Sequence, residues 1–200
     1  MTTIGVTGSI GTGKSAVCKL FEKLGAIRLD ADALAHEALE KHQTPYRQVL
    51  GHFGDGILRK SGRIDRARLA AEVFTHPKQL DTLCRIVHPY VIQKMRQRIR
   101  QIGRRDPSAV VVAEVPLLFE VGLGSMFDET VTVWCDARRQ RLRCQKKGMS
   151  PRDLQLRKRA QLSLSEKRRR SDDCVDTRGS LQQTARQVRA IWDSLKERED

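Results

Sequence analysis

Residues 8–15 read Gly-Ser-Ile-Gly-Thr-Gly-Lys-Ser, the pattern G-x-x-x-x-G-K-[ST]. The pattern has a use only where a buried strand runs into the start of a helix. Both are present. "TTIGVTG" is a short apolar run ending in glycine, and Lys14–Leu24 places Val17, Leu20, Phe21 and Leu24 at helical spacing. Gly25 then stands where a left-handed helix stop belongs. In such a loop Gly8, Gly11 and Gly13 let the backbone wrap with its N–H groups inward, and Thr12 and Ala16 complete the wrap. The helix N-terminus adds about half an elementary charge. Lys14 is then placed to neutralise the β- and γ-phosphates of a nucleotide, and Ser15 to hold Mg²⁺.

The remaining elements alternate. "AIRL" (26–29) predicts a second strand, closed by "DAD" (30–32) and followed by a helical stretch, with "TP" (44–45) opening another element. Residues 54–105 read as helices joined by turns. "HP" occurs at 76–77 and 88–89, and Pro at a first helical position predicts a helix start at each. "AVVVAEVP" (109–116) is continuously apolar, so it predicts a central strand covered on both faces. "ETVTVWCD" (129–136) and "DCVDT" (173–177) predict two more. Ser150 and Ser180 are placed as helix caps, and the last helix carries Leu181, Ala185, Val188, Ile191, Trp192 and Leu195 as its apolar stripe. Strands alternating with helices predict an α/β fold on a mostly parallel sheet.

Composition narrows the class. Of 200 residues 39% are hydrophobic, enough for a buried core. No run approaches the roughly 20 apolar residues of a membrane span, and "MTTIGVTG" does not read as a secretory signal. The five cysteines (Cys18, Cys84, Cys135, Cys144, Cys174) are widely spaced, without a C-x-x-C pair, which argues against a disulfide framework or a zinc site and for a reducing cytoplasm. The net charge of +14 is concentrated: Arg138 to Arg170 holds fourteen Arg and Lys against Asp153 and Glu166. That segment suits a nucleic-acid surface, a grip on a polyanionic small molecule, or a solvated face.

Carboxylates at strand ends extend the chemistry. Asp30 and Asp32 follow the second strand, at the edge where open α/β sheets bind ligands, and one could orient or deprotonate a hydroxyl. They also suit a turn or a cap. Glu114 ends "VVVAE", where an acid can stand near a metal, directly or through water, or simply close a strand. Arg138, Arg139, Arg141, Arg143, Lys146 and Lys147 form the pool from which a lid over nucleotide would draw phosphate contacts.

With these pieces in place the chain resembles the dephospho-coenzyme A kinase family. The matching stretches run through almost its whole length: "TGSIGTGKS" (7–15), "LGAIRLDADALAHEAL" (24–39), "GRIDRARLAAEVF" (62–74), "LCRIVHP" (83–89), "VPLLFEVG" (115–122), "QRLRCQKKGMS" (140–150) and "AQLSLSEKRRRSDDCVDTRGS" (160–180). The resemblance implies a three-layer P-loop NTPase with a five-stranded sheet, a helical substrate-binding insertion and a small lid. It places the core at about 1–54, 106–137 and 172–200, the insertion at about 55–105 and the lid at about 138–171. It implies transfer from Mg-ATP to the ribose 3′-hydroxyl of dephospho-CoA. The expected partners are ATP and dephospho-CoA, with no membrane and no specific nucleic acid, and a cytoplasmic monomer is expected with an oligomer left open.

By position, the resemblance makes Asp32 the general base and Lys14, Arg143 and Lys147 its catalytic cations, with Lys147 standing where the family has arginine. Asp30, Arg66, His88 and the segment Pro116, Leu117, Leu118 and Glu120 fall to the substrate. Thr177 stands near the adenine where asparagine is usual, and Glu114 where aspartate is common. Arg66 also reads as a surface arginine and His88 as a cap before Pro89. A nucleoside monophosphate kinase would share core and chemistry. A nucleic-acid module rests on the basic segment alone, which has no aromatic residue between Arg138 and Arg170 to stack on a base.

Overall fold

The computed structural model describes residues 1–198. Glu199 and Asp200, counted above with the core, lie outside the described residues. The chain forms two compact units, one of residues 1–30 and 102–200, the other of residues 31–101. The second unit thus takes in residues 31–54, which the sequence reading counts with the core.

The first unit is a three-layer α/β sandwich around a five-stranded sheet: β1 (Thr2–Thr7), β2 (Ile27–Asp30), β3 (Val110–Glu114), β4 (Glu129–Trp134) and β5 (Asp173–Asp176). The order is β2-β3-β1-β4-β5 and every pairing is parallel. β1 and β3 are buried along their whole length, as befits interior strands of a parallel sheet covered on both faces. One face packs on α1 (Lys14–Lys23) and on the chain's last helix, over Leu181–Glu197, with Ile4, Val6, Phe21, Val133, Val188 and Ile191 at the centre. On the other, Leu118 and Phe127 close against Gly5. Register decides the site: Val6 and Asp30 both lie beside Glu114, so the strand ends holding Gly8, Asp30 and Glu114 form one edge.

The second unit is helical: α2 (Ala31–Ala38), α3 (Thr44–Phe53), α4 (Arg66–Thr75) and most of α5 (Pro77–Arg105). Glu37 ties α2 to α5 by accepting from Tyr90 Oη (2.8 Å) and Arg98 Nη2 (2.7 Å). Asp65 caps α4, accepting from the amides of Ala67 and Arg68.

Two sequence expectations fail here. Pro89 does not open a helix and His88 does not cap one, because α5 runs unbroken through both. Proline removes one helical hydrogen bond. The buried row Val87, Val91, Met95 and Ile99, four residues apart, holds the helix together across that gap. Leu181 is 64% exposed, so the last helix buries its face only from Thr184 onward.

The basic segment is three short helices, α6 (Ala137–Gln145), α7 (Pro151–Arg159) and α8 (Leu164–Arg170), followed after β5 by α9 (Leu181–Glu197). Ser150 caps α7, and Ser180 with Gln183 forms a full capping box on α9.

Candidate active site

The turn between β1 and α1 is built so that only glycine fits its corners. A Cβ on Gly8, whose φ is +145°, would lie 2.3 Å from the Val133 carbonyl oxygen. One on Gly11, at φ +77°, would lie 2.7 Å from Cys144 Sγ. The loop carbonyls are held from outside. Gln140 Nε2 donates to Ile10 O (3.0 Å), Arg143 Nη1 to Thr12 O (2.9 Å) and Thr177 Oγ1 to Thr12 O (2.6 Å). Holding the Ile10 and Thr12 carbonyls from outside leaves the neighbouring N–H groups of Gly11 and Gly13 to the loop's inner side, the arrangement that receives phosphate. Lys14 is buried and folds over this turn, donating to Gly8 O and Ser9 O at 3.1 Å each. Ala16, beside Ser15, donates its amide to Gly13 O (3.0 Å).

Arg143 and Thr177 therefore serve the loop itself. Arg143 Nη1 also donates to Thr177 Oγ1 (2.9 Å) and Nη2 to Thr177 O (2.7 Å). Lys147 is exposed in the turn that ends α6. A groove of about 740 Å³ opens beside Asp136, Arg139, Asp176 and Arg178. It is lined by ion pairs already closed, Arg139 with Asp136 and Arg178 with Asp176, and holds none of Lys14, Ser15 or Glu114.

At the strand edge Ser15 Oγ donates to Glu114 Oε1 (2.7 Å) and Arg28 Nη2 donates to Glu114 Oε2 (2.7 Å). Arg28 lies 3.5 Å from Asp30 as well. This hydroxyl–carboxylate pair at the mouth of the loop fits a hard cation that takes its other ligands from phosphate and water, as Mg²⁺ does. Cys18, beneath it, is pushed far above the usual thiol range by burial and then by Glu114, so it is a packing residue.

The segment after β3 contributes Pro116, Leu117 and Leu118, with Leu118 fully buried. Glu120 makes an ion pair with Lys167 (2.9 Å) and accepts from the Leu162 amide (2.8 Å).

In the helical unit, Asp32 is exposed in the first turn of α2, Arg66 is exposed at the start of α4, and His88 is half-buried in α5. Burial holds His88 below its ordinary pKa, so it is neutral at pH 7. The structure thus brings the phosphate loop, Arg143, Thr177, Ser15, Glu114 and Asp30 into one unit, and Asp32, Arg66 and His88 belong to the other.

Two residues escaped the sequence reading. Arg28 had a usable signal, since alternation along "RLD" sets it on the same face as Asp30. Lys167 had none, being one cation in the run "EKRRR".

Comparison with known proteins agrees with this geometry. A family model described as dephospho-CoA kinase matches residues 2–183. A dephospho-CoA kinase of Symbiobacterium thermophilum is 41% identical over 194 residues, covering 96% of this chain and 80% of that protein. One from Geobacillus kaustophilus is 38% identical, covering 97% of this chain and 98% of the relative. Among solved structures, a Thermus thermophilus protein superposes with a TM-score of 0.79 at 32% identity, covering 97% of each chain. A phosphate loop at the end of β1, an acid at the end of β3 and a match over nearly the full length lead to one assignment: the chain belongs to the dephospho-CoA kinase family.

Proposed function

We propose that this chain transfers the γ-phosphoryl group of ATP to the 3′-hydroxyl of the ribose of dephospho-CoA, giving CoA and ADP, the last step of CoA synthesis. The observation that carries this reading is the family match over residues 2–183 falling on an intact phosphate loop braced from outside by Gln140, Arg143 and Thr177.

In this reading the amides of Gly11, Gly13 and Ser15 and the Lys14 ammonium hold the β- and γ-phosphates, and Thr12 and Ala16, whose amides bond to Ser9 O and Gly13 O, keep the loop wound around them. Lys14 exchanges two carbonyl oxygens for phosphate oxygens, a stronger charge-assisted contact. Ser15 and Glu114 would hold Mg²⁺, which when bound neutralises charge across the β- and γ-phosphates. Arg28 keeps the Glu114 carboxylate turned toward Ser15. Asp32 takes the proton of the attacking hydroxyl, and the strand-end acid Asp30 helps orient the ribose. Pro116, Leu117, Leu118 and Glu120 of the first unit are assigned to the acceptor, as are Arg66 and His88 of the second. Thr177 supports the loop beside the adenine, and Arg143 and Lys147 supply positive charge as it moves with the phosphoryl group. Lys147 acts there as a point charge, without the planar fork of arginine. The reaction calls on no second copy of the chain, and five cysteines left as free thiols suit a reducing compartment such as the cytoplasm.

The test is purified protein with Mg-ATP and each acceptor in turn. ADP release is expected with dephospho-CoA and not with AMP, CMP, UMP or GMP. Turnover of a nucleoside monophosphate, with none of dephospho-CoA, overturns the assignment.

A further inference from the structure

Of the fourteen cations between Arg138 and Arg170, Lys167 is the one fully withdrawn from water, at 0% exposure. It sits in the middle of α8, between charged neighbours that stay outside. Its ammonium donates to Pro116 O (2.6 Å) and Thr7 Oγ1 (3.3 Å), and lies 2.9 Å and 3.1 Å from the two Glu120 oxygens. Thr7 Oγ1 in turn donates to Pro116 O (3.2 Å). Burial lowers the Lys167 pKa, and the bond to Glu120 opposes that shift.

A buried ammonium is costly, and an apolar pair of similar volume often serves stability as well. What an apolar pair cannot supply is direction. Thr7 is the residue before Gly8, Pro116 opens the segment after β3, and α8 closes the basic run. One three-donor group fastens all three.

We propose that Lys167 is a positioning residue for the acceptor: it fixes the Pro116–Glu120 turn against the start of the phosphate loop, and so sets the approach of the hydroxyl. The inference rests on the acceptor reading given above. Small errors of placement slow such reactions strongly.

The test compares wild type with Lys167→Met, the charge-balanced double variant Lys167→Met/Glu120→Gln, and Thr7→Val. In the double variant the carboxamide oxygen at position 120 can still accept from the Leu162 amide. Melting temperature, steady-state kinetics for both substrates, and hydrogen exchange of amides 117–122 without substrate are measured. The double variant is expected to regain most of the melting temperature lost by Lys167→Met. It should keep a dephospho-CoA KM raised about tenfold, an ATP KM within about twofold, and faster exchange in the turn. Thr7→Val, a shape-conserving change, should raise the acceptor KM about threefold on its own. Recovery of kinetics together with melting temperature, or unchanged exchange at 117–122, overturns the proposal. Should wild type fail to use dephospho-CoA, the reaction assignment falls, and the exchange measurement alone decides whether Lys167 sets the turn.

Discussion

Among the described residues two lysines are buried, Lys14 and Lys167, and burial serves them differently. Lys167 is held on all sides by fixed partners. Lys14 rests on two carbonyls of its own loop, partners that an incoming phosphate can replace. Lys14→Met should therefore leave the melting temperature within a few degrees of wild type and lower kcat/KM by about 10²–10³-fold, the effect of losing one preorganised donor. An activity loss matched by an equal loss of folded protein would contradict this. Asp32→Asn should lower kcat by about 10²–10⁴-fold while calorimetry finds ATP affinity within about twofold. Unchanged turnover would remove Asp32 from the role of base. Lys14 and Ser15 were legible in the sequence because phosphate geometry dictates their spacing. For Arg28 only its face of β2 was legible, and for Lys167 nothing was, because what matters is which partners surround them, and those partners (Glu114 for one, Pro116 and Glu120 for the other) arrive from distant segments.

Elements were legible where one force dominates. β3 could be placed inside the sheet because "VVVA" offers no polar face to solvent, and it lies between β2 and β1, one step from the middle strand. The cap of α9 was legible because Ser180 and Gln183 satisfy each other's backbone groups locally. Ser180→Ala should cost about 1 kcal/mol in urea unfolding, with activity retained. No loss of stability would mean that packing of Val188, Ile191 and Leu195 alone fixes that helix end. Local rules failed at His88–Pro89, where proline usually begins a helix. There the apolar row on both sides of Pro89 outweighs one missing hydrogen bond, and α5 continues. They failed again at Leu181, whose helical spacing matched the stripe although burial along α9 begins only at Thr184.

At the scale of the molecule, the charge of +14 invites a nucleic-acid reading. The structure distributes that charge into particular tasks. Arg143 braces the phosphate loop, Lys167 is buried, Arg168 and Arg178 stack on Trp134, and Arg169 and Arg170 pair with Glu166. Any association with duplex DNA should come from phosphate contacts alone and vanish steeply with salt. Mobility shifts are expected at low ionic strength and absent near physiological salt; a complex surviving there would revive the nucleic-acid reading.

The bonds that brace the phosphate loop have a mechanical corollary. Gln140 and Arg143 bolt α6 to the loop, while Leu162 and Lys167 bolt the far end of the basic segment to Glu120 and Pro116. Between those two ends Lys158 of α7 donates to Gln140 Oε1 (3.2 Å), so the same glutamine that holds the loop also holds the next helix. The basic segment is thereby sewn down along its length rather than hung from one end.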